Sequence, residues 1–109
     1  MKNDRRKLPG KQSRTKKEKI GMVEREVEVI NSLGIHARPS SLIVQTALKY
    51  KSSISLKNNG VVADAKSIMS IMILAATCGS KVMITANGED EQLAVDAIAA
   101  LFEQKFNEE

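Results

Sequence analysis

The segment Asn31-Ser32-Leu33-Gly34-Ile35-His36-Ala37-Arg38-Pro39-Ser40 joins the two kinds of secondary structure on which the fold depends. Residues 23–30, before it, mostly alternate between apolar and charged side chains, which predicts a half-buried strand. Residues 37–49 show helical spacing, with apolar positions at Ile43, Val44, Ala47 and Leu48. Pro39 is compatible with this helix because the N–H that proline lacks would have no partner in the first turn. The segment therefore predicts a strand, a loop and a helix that begins beside a histidine.

Downstream of this helix, the sequence predicts a β-hairpin. Ile54 and Leu56 alternate with polar residues, and residues 61–65 form the returning strand. Between them lies Asn58-Asn59-Gly60, and Asn-Gly favours a type I′ turn because both residues accept positive φ angles. An antiparallel pair of strands is therefore expected here.

The rest of the chain predicts a helix, a strand and a final helix. Ser67 begins a short apolar helix that Gly79 is expected to end at its C′ position, with Ala75 as one of its core residues. A strand follows over 81–86, and the last helix extends to about Phe106. The order β-α-β-β-α-β-α predicts an α+β domain in which three helices cover one face of a largely antiparallel, four-stranded sheet.

Composition limits the functional classes. Cys78 is the only cysteine, so no intramolecular disulfide can form and a cytoplasmic location is expected. His36 and Cys78 are too few for a Cys/His zinc site, and no metal or cofactor is expected. No apolar run approaches the length of a membrane helix.

The basic character of the chain is confined to its first residues. Residues 1–19 have a net charge of +7, whereas residues 20–109 have a net charge of −3. Residues 1–21 are therefore predicted to be a disordered extension, with non-specific binding to polyanions as the less favoured alternative. Met22 is an alternative start of the protein.

His36 is the only histidine, and its position suits a phosphoryl group. The positive end of a helix dipole disfavours a protonated imidazole, so the neutral nucleophile is favoured. After phosphorylation, the unpaired N–H groups of the first turn and the Arg38 guanidinium can bind the phosphate. Spacing alone leaves the ordinary alternatives open, namely a capping histidine and a solvated arginine. The chain has no nucleotide-binding loop of the common types, so phosphate would not come from ATP by its own action.

Two separated motifs resemble one family. Gly34-Ile35-His36-Ala37-Arg38-Pro39 resembles the active-site signature of the histidine-containing phosphocarrier proteins, HPr, of the phosphoenolpyruvate-dependent phosphotransferase system. Ala65-Lys66-Ser67-Ile68-Met69-Ser70-Ile71-Met72 resembles the regulatory-serine segment of the Gram-positive-type members. The resemblance covers about residues 22–106, which indicates that residues 22–109 form an HPr-like domain.

This resemblance implies an open-faced β-sandwich that carries phosphate without being an enzyme. His36 would receive the phosphoryl group on Nδ1 from enzyme I and pass it to EIIA domains, while Arg38 steadies the phosphate. Ser67 would be phosphorylated by a bifunctional HPr kinase/phosphorylase, and the phosphoserine form would bind a transcription regulator in some lineages. Without the resemblance, Ser67 would be interpreted as an ordinary N-cap.

The apolar residues of the second helix exceed what a core needs. Ile71 and Leu74 suit the core, but Ile68, Met69 and Met72 cannot all point inward on so short a helix. The resemblance implies that these three residues bind partner proteins, and a larger buried face is the alternative. Three other functions stay open: a mainly regulatory homologue acting through Ser67, a carrier of the nitrogen-related branch, and a nucleic-acid-binding module with a basic tail.

Overall fold

In the computed structural model of the chain, residues 22–108 are described, and the predicted extension over residues 1–21 lies outside them. The strands are β1 (Val23–Glu28), β2 (Ser53–Asn58), β3 (Val61–Asp64) and β4 (Lys81–Asn87). The helices are α1 (Ala37–Ala47), α2 (Ile68–Leu74) and α3 (Glu91–Glu103), followed by the 3-10 turn η1 (Lys105–Asn107). The strands form one antiparallel sheet in the order β1-β4-β2-β3. The βαββαβα order and the antiparallel sheet confirm the predicted α+β architecture.

The core lies between the sheet and the helical layer. The helix α3 contacts β1 and β4, α2 contacts β2 and β3, and α1 contacts the other two helices. Inward-facing residues of the sheet are fully or almost fully buried, including Leu56, Val82 and Ile84. Glu24 and Glu26 of β1 are exposed, so the opposite sheet face carries the polar half of the alternation. The sheet is therefore open on one side, as predicted.

The hairpin between β2 and β3 has the predicted turn. Asn58 pairs with Val61, so the loop consists of Asn59 and Gly60 alone. Both residues have positive φ angles, 51° and 81°. This combination is typical of a type I′ turn, whose twist matches that of the two strands it joins.

The helix α2 ends earlier than predicted. Ala75 adopts the left-handed conformation with φ 51° and is exposed, so the expectations that Gly79 ends the helix and that Ala75 is buried are both wrong. Hydrogen bonds to distant segments explain the early end. The Ala76 carbonyl accepts from Ile35 N at 2.9 Å, and Gly79 N donates to the Val29 carbonyl at 2.8 Å. The chain must leave the helix at Ala75 to form both bonds.

The helix α3 also ends before the predicted boundary. It stops at Glu103, and Lys105, Phe106 and Asn107 have positive φ angles of 54°, 54° and 61°. This reversal buries Phe106, whose ring makes an edge-to-face contact with Phe102 at a centroid distance of 5.0 Å. The expected extension of the helix to Phe106 is wrong because burial of this ring in the core directs the chain back over the domain.

The end of α1 differs by two residues from the prediction. The helix ends at Ala47, which is buried, whereas Leu48 follows it as the C-cap and is 63% exposed. Leu48, one of the four apolar positions at helical spacing, is therefore not part of the core. The three other apolar positions at this spacing, Ile43, Val44 and Ala47, are buried.

Candidate functional site

His36 is the N-cap residue of α1, where the sequence places it. Its backbone is extended, with φ −107° and ψ −162°, and its side chain makes no capping hydrogen bond. The His36 carbonyl accepts from Ser40 N at 3.0 Å and from Ser40 Oγ at 2.8 Å, which fixes the backbone at the start of the helix. The imidazole is 38% exposed, so the ring is held at the surface and is not occupied in capping.

The loop before His36 is held by contacts that require glycine at position 34. Gly34 has φ +72°, and a Cβ atom there would lie 2.8 Å from the Ala76 carbonyl oxygen. Asn31 Nδ2 donates to the Gly34 carbonyl at 2.7 Å, and this asparagine is completely buried. A side chain at position 34 would separate the loop from the α2–β4 connection, and the left-handed conformation would add strain. The loop therefore sets the position of the imidazole.

Glu108 brings a carboxylate to His36. Its Oε2 atom lies 2.8 Å from His36 Nε2, and its side chain is only 13% exposed. The contact is outside the angular range of a hydrogen bond, so it is a close electrostatic contact. Asn31 Nδ2 donates to the other carboxylate oxygen, Oε1, at 3.1 Å. Sequence reasoning missed Glu108 because the positive φ angles that return the tail to α1 have no signal in the sequence.

Arg38 reaches the same cluster through the C-terminal tail. Its Nη1 donates to the Phe106 carbonyl at 3.0 Å and lies 3.9 Å from Glu108 Oε2. The Arg38 side chain is 56% exposed, so the guanidinium is accessible to an added anion. The structure thus brings together an imidazole, a guanidinium and a carboxylate at the N-terminal end of α1. The first turn of α1 contains no acidic residue, which leaves its N–H groups suited to an anion.

Ser67 is the N-cap of α2, as the sequence predicts. Its hydroxyl oxygen accepts from Ser70 N at 3.2 Å, and its carbonyl accepts from Ile71 N at 3.1 Å. The residue is partly exposed. Because α1 and α2 contact each other, the helices that begin at His36 and Ser67 belong to one packed layer, although the two side chains take part in separate hydrogen-bond networks.

An exposed apolar patch follows Ser67 on α2. Ile68, Met69 and Met72 are 43%, 70% and 44% exposed, so they do not form a larger buried face. Ile73, which the sequence analysis did not single out, is 69% exposed and extends the patch. We call these four residues the α2 patch. Clustered apolar side chains on a surface are typical of a protein-binding site, and methionine suits a surface that must fit several partners.

Other chemistry is not indicated in the described part of the chain. Within residues 22–108, no group of three or more His, Cys, Asp or Glu residues is arranged to hold a metal ion. No helix in this range is long and apolar enough to cross a membrane. A groove of about 540 Å³ lies on the open face of the sheet, lined by residues such as Ser55, Asp64 and Thr85, and does not include His36.

Comparison with known proteins shows that the chain is similar to members of one family. Residues 23–104 match the family model described as PTS HPr component phosphorylation site. The chain is 47% identical over 88 residues to the phosphocarrier protein HPr of Treponema pallidum, a match that covers 81% of this chain and all of the relative. It is 44% identical over 88 residues to HPr of Xylella fastidiosa strain Temecula1, covering 81% of this chain and 99% of the relative.

A solved structure agrees with this result. The crystal structure of HPr-C-His from Thermoanaerobacter tengcongensis superposes with a TM-score of 0.77 at 44% sequence identity, and the match covers 80% of this chain and 98% of that chain. The shared fold, the matched family model and the identity over nearly the whole of each relative lead to the same assignment. The chain therefore belongs to the HPr family, the cytoplasmic phosphohistidine carriers of the phosphotransferase system, which are not enzymes.

Proposed function

We propose that His36 carries the phosphoryl group, accepting it on Nδ1 from phosphorylated enzyme I and passing it to EIIA domains. The HPr family implies both partners. The observation that carries the proposal is the position of His36, a surface imidazole at the N-terminus of α1 that caps nothing and has its Nε2 atom 2.8 Å from Glu108 Oε2. With Nε2 beside the carboxylate, Nδ1 is the ring nitrogen that is left for phosphorus.

Transfer needs little from this chain beyond position and charge. The lone pair of Nδ1 attacks phosphorus, an N–P bond forms, and the bond between phosphorus and the donor atom of enzyme I breaks with its electron pair. The N–H groups at the start of α1 then point towards the added negative charge. Phosphoryl transfer depends mainly on such positioning and electrostatic stabilisation.

Arg38 supplies the positive charge that steadies the phosphate. Its Nη1 donates at 3.0 Å to a neutral acceptor, the Phe106 carbonyl. A phosphoryl group with two negative charges is a much stronger acceptor, and a guanidinium binds it with charge-assisted hydrogen bonds. The exposed guanidinium therefore exchanges the carbonyl for the phosphate when His36 is phosphorylated.

Incubation with enzyme I, phosphoenolpyruvate and Mg²⁺, followed by intact-mass analysis, tests this proposal. Wild type is expected to gain one acid-labile phosphoryl group and His36→Ala none. Arg38→Ala should accept phosphate about tenfold or more slowly, since one charged donor is lost. Arg25→Ala is the matched control, because Arg25 is bound to Asp96 and Glu103 and not to the residues around His36. Unmodified wild type with a competent enzyme I, or a phosphorylated His36→Ala, would contradict the assignment.

We further propose that phosphorylation of Ser67 by an ATP-dependent HPr kinase/phosphorylase regulates this transfer. The Ser67 hydroxyl already accepts an N–H bond at the start of α2, a position where added phosphate is locally favourable. A phosphoserine adds about −1.5 to −2 of charge next to the apolar α2 patch. This charge disfavours the docking of enzyme I and creates a feature that a transcription regulator could bind.

A kinase assay separates the two neighbouring serines of α2. With HPr kinase/phosphorylase and ATP, wild type and the control Ser70→Ala should gain one acid-stable phosphate, and Ser67→Ala none. The variant Ser67→Asp should accept phosphate on His36 about tenfold more slowly, because its charge lies beside the docking patch. Equal modification of Ser67→Ala and wild type would contradict the regulatory role.

A further inference from the structure

We propose that Glu108 is a positioning residue for transfer at His36, keeping the imidazole proton on Nε2 so that Nδ1 presents its lone pair. The inference rests on the proposed role of His36 as phosphoryl acceptor. It starts from the 2.8 Å separation of His36 Nε2 and Glu108 Oε2, a contact between residues 72 positions apart in the sequence.

The carboxylate is fixed in place by other contacts. Asn31 Nδ2 donates to Glu108 Oε1 at 3.1 Å and to the Gly34 carbonyl at 2.7 Å, so a single buried amide joins the tail to the loop before His36. Phe106, two residues before Glu108, is completely buried and anchors the tail. The Glu108 side chain is consequently only 13% exposed and is held against the ring.

A fixed carboxylate determines which ring nitrogen binds the proton. A neutral imidazole has one N–H and one lone pair, and the N–H is favoured on the nitrogen that faces a negative charge. Because Glu108 Oε2 lies 2.8 Å from Nε2, its charge favours the proton on Nε2 and the lone pair on Nδ1. This tautomer is the one that can attack phosphorus without first losing a proton from the attacking nitrogen.

The same contact stabilises the charge that develops during transfer. When Nδ1 bonds to phosphorus and the bond to the donor breaks with its electron pair, the Nε2 proton stays on the ring, which becomes positively charged. That charge faces the Glu108 carboxylate. An interaction that strengthens as the reaction proceeds lowers the barrier and does not merely tighten binding.

The negative charge of Glu108 also acts against the incoming phosphate, and two features offset this repulsion. Arg38 Nη1 lies 3.9 Å from Glu108 Oε2, and the positive end of α1 is at the same place. The carboxylate therefore acts mainly on the side of the ring opposite to the phosphate.

Three variants test the proposal. Glu108→Gln keeps the size of the side chain and removes its charge, whereas Glu108→Asp keeps the charge. Glu103→Gln is the matched control, because it removes a carboxylate that binds Arg25 and not His36. The imidazole ¹⁵N chemical shifts of the neutral ring report the tautomer without any partner, and the rate of phosphorylation by enzyme I reports the reaction.

In wild type and in Glu103→Gln, the ¹⁵N shifts should show the proton on Nε2. In Glu108→Gln, they should move towards a mixture of tautomers. The kcat of enzyme I with this variant as the acceptor should fall about tenfold, and the KM of enzyme I for the variant should stay within about twofold. Glu108→Asp should recover about a third of the wild-type rate. Thermal stability should differ little among these proteins.

Unchanged shifts and an unchanged rate in Glu108→Gln would overturn the role of Glu108. A loss of rate accompanied by an equal loss in Glu108→Asp and a lower melting temperature would also overturn it, since this pattern indicates a structural role. Failure of wild type to accept phosphate would instead contradict the assignment of His36, and the ¹⁵N shifts would still decide whether Glu108 sets the tautomer.

Discussion

Asp90, the N-cap residue of α3, joins this helix to the segment before β2. Its carboxylate accepts from Ser52 Oγ at 2.5 Å, from Ser52 N at 3.0 Å and from Lys51 N at 2.9 Å. These hydrogen bonds, first of all the one from the Ser52 hydroxyl, lower the pKa of Asp90 to about 2. The ionised carboxylate is therefore part of the folded structure, although its own side chain makes no capping bond within α3.

The lowered pKa predicts a pH-dependent stability. Because the folded pKa is below the unfolded one of about 3.9, ionised Asp90 stabilises the fold above about pH 4, and this contribution disappears as the pH falls through about 2. Asp90→Asn should therefore have a lower melting temperature than wild type at pH 7, with the difference shrinking between pH 4 and pH 2. Thermal unfolding followed by circular dichroism measures this, with the exposed Asp96→Asn as control. Equal melting temperatures for Asp90→Asn and wild type at pH 7 would contradict the assignment.

Single residues of the site differ in how far the sequence predicts them. His36 and Arg38 lie at the start of α1, as predicted, because this position depends on local rules, namely the signals for the start of a helix and a proline in its first turn. Asn31 and Glu108 are not found, because their importance arises from contacts over 77 positions of sequence. No local pattern distinguishes these two residues from ordinary polar residues in a loop and a tail.

Among the helices and strands, α2 exposes a cluster of apolar side chains that the fold does not need. Its inner face is satisfied by Ile71 and Leu74, so the exposed residues of the α2 patch add nothing to the core. Met69, at 70% exposed, is the most exposed of the four residues of the α2 patch. The patch lies on a helix that contacts α1, which places it in the same layer as His36.

Met69→Ser should weaken the binding of enzyme I without unfolding the chain. An exposed substitution of this kind changes the free energy of unfolding by less than about 0.5 kcal/mol, whereas a contact residue at an interface contributes more to binding. In steady-state phosphorylation, we expect the KM of enzyme I for the Met69→Ser chain to be about fivefold higher than for wild type, with kcat within about twofold. Leu93→Ser on α3, where Leu93 is 64% exposed, is the matched control. A similar KM for both variants would contradict docking through the patch.

The ends of helices and strands are predicted from the sequence only where local backbone preferences determine them. The hairpin turn is predicted correctly because Asn59 and Gly60 determine it by their own backbone preferences. The ends of α2 and α3 are not predicted, because Ala75 and Phe106 adopt left-handed conformations against their intrinsic preference. Hydrogen bonds of the α2–β4 connection and burial of an aromatic ring stabilise these conformations, and both depend on the assembled fold.

At the scale of the whole molecule, the order of elements was sufficient to predict the architecture. Four alternating segments and three helical ones leave few ways to cover one face of an antiparallel sheet. The distribution of charge is a second property of the whole chain, since residues 1–21 carry +7 and the rest is acidic. The family model begins at residue 23, so the basic segment lies outside the matched domain.

Deletion of residues 1–21 should leave phosphoryl transfer intact. The residues that form the site all lie between Asn31 and Glu108, and the family match does not include the deleted segment. We expect the rate of phosphorylation by enzyme I and the melting temperature of the truncated chain to agree with those of the full chain, the rate within about twofold. A truncated chain that fails to accept phosphate, or a full chain that binds DNA with high salt sensitivity in place of transfer, would favour the nucleic-acid-binding function.

The most direct test of the central claim is to locate the phosphoryl group by NMR. The full chain, labelled with ¹⁵N and phosphorylated by enzyme I, is examined for coupling between phosphorus and the imidazole nitrogens. Coupling to Nδ1 of His36, with the proton on Nε2, is the predicted result. Phosphate on Nε2 of His36, or on any other residue, would contradict the account.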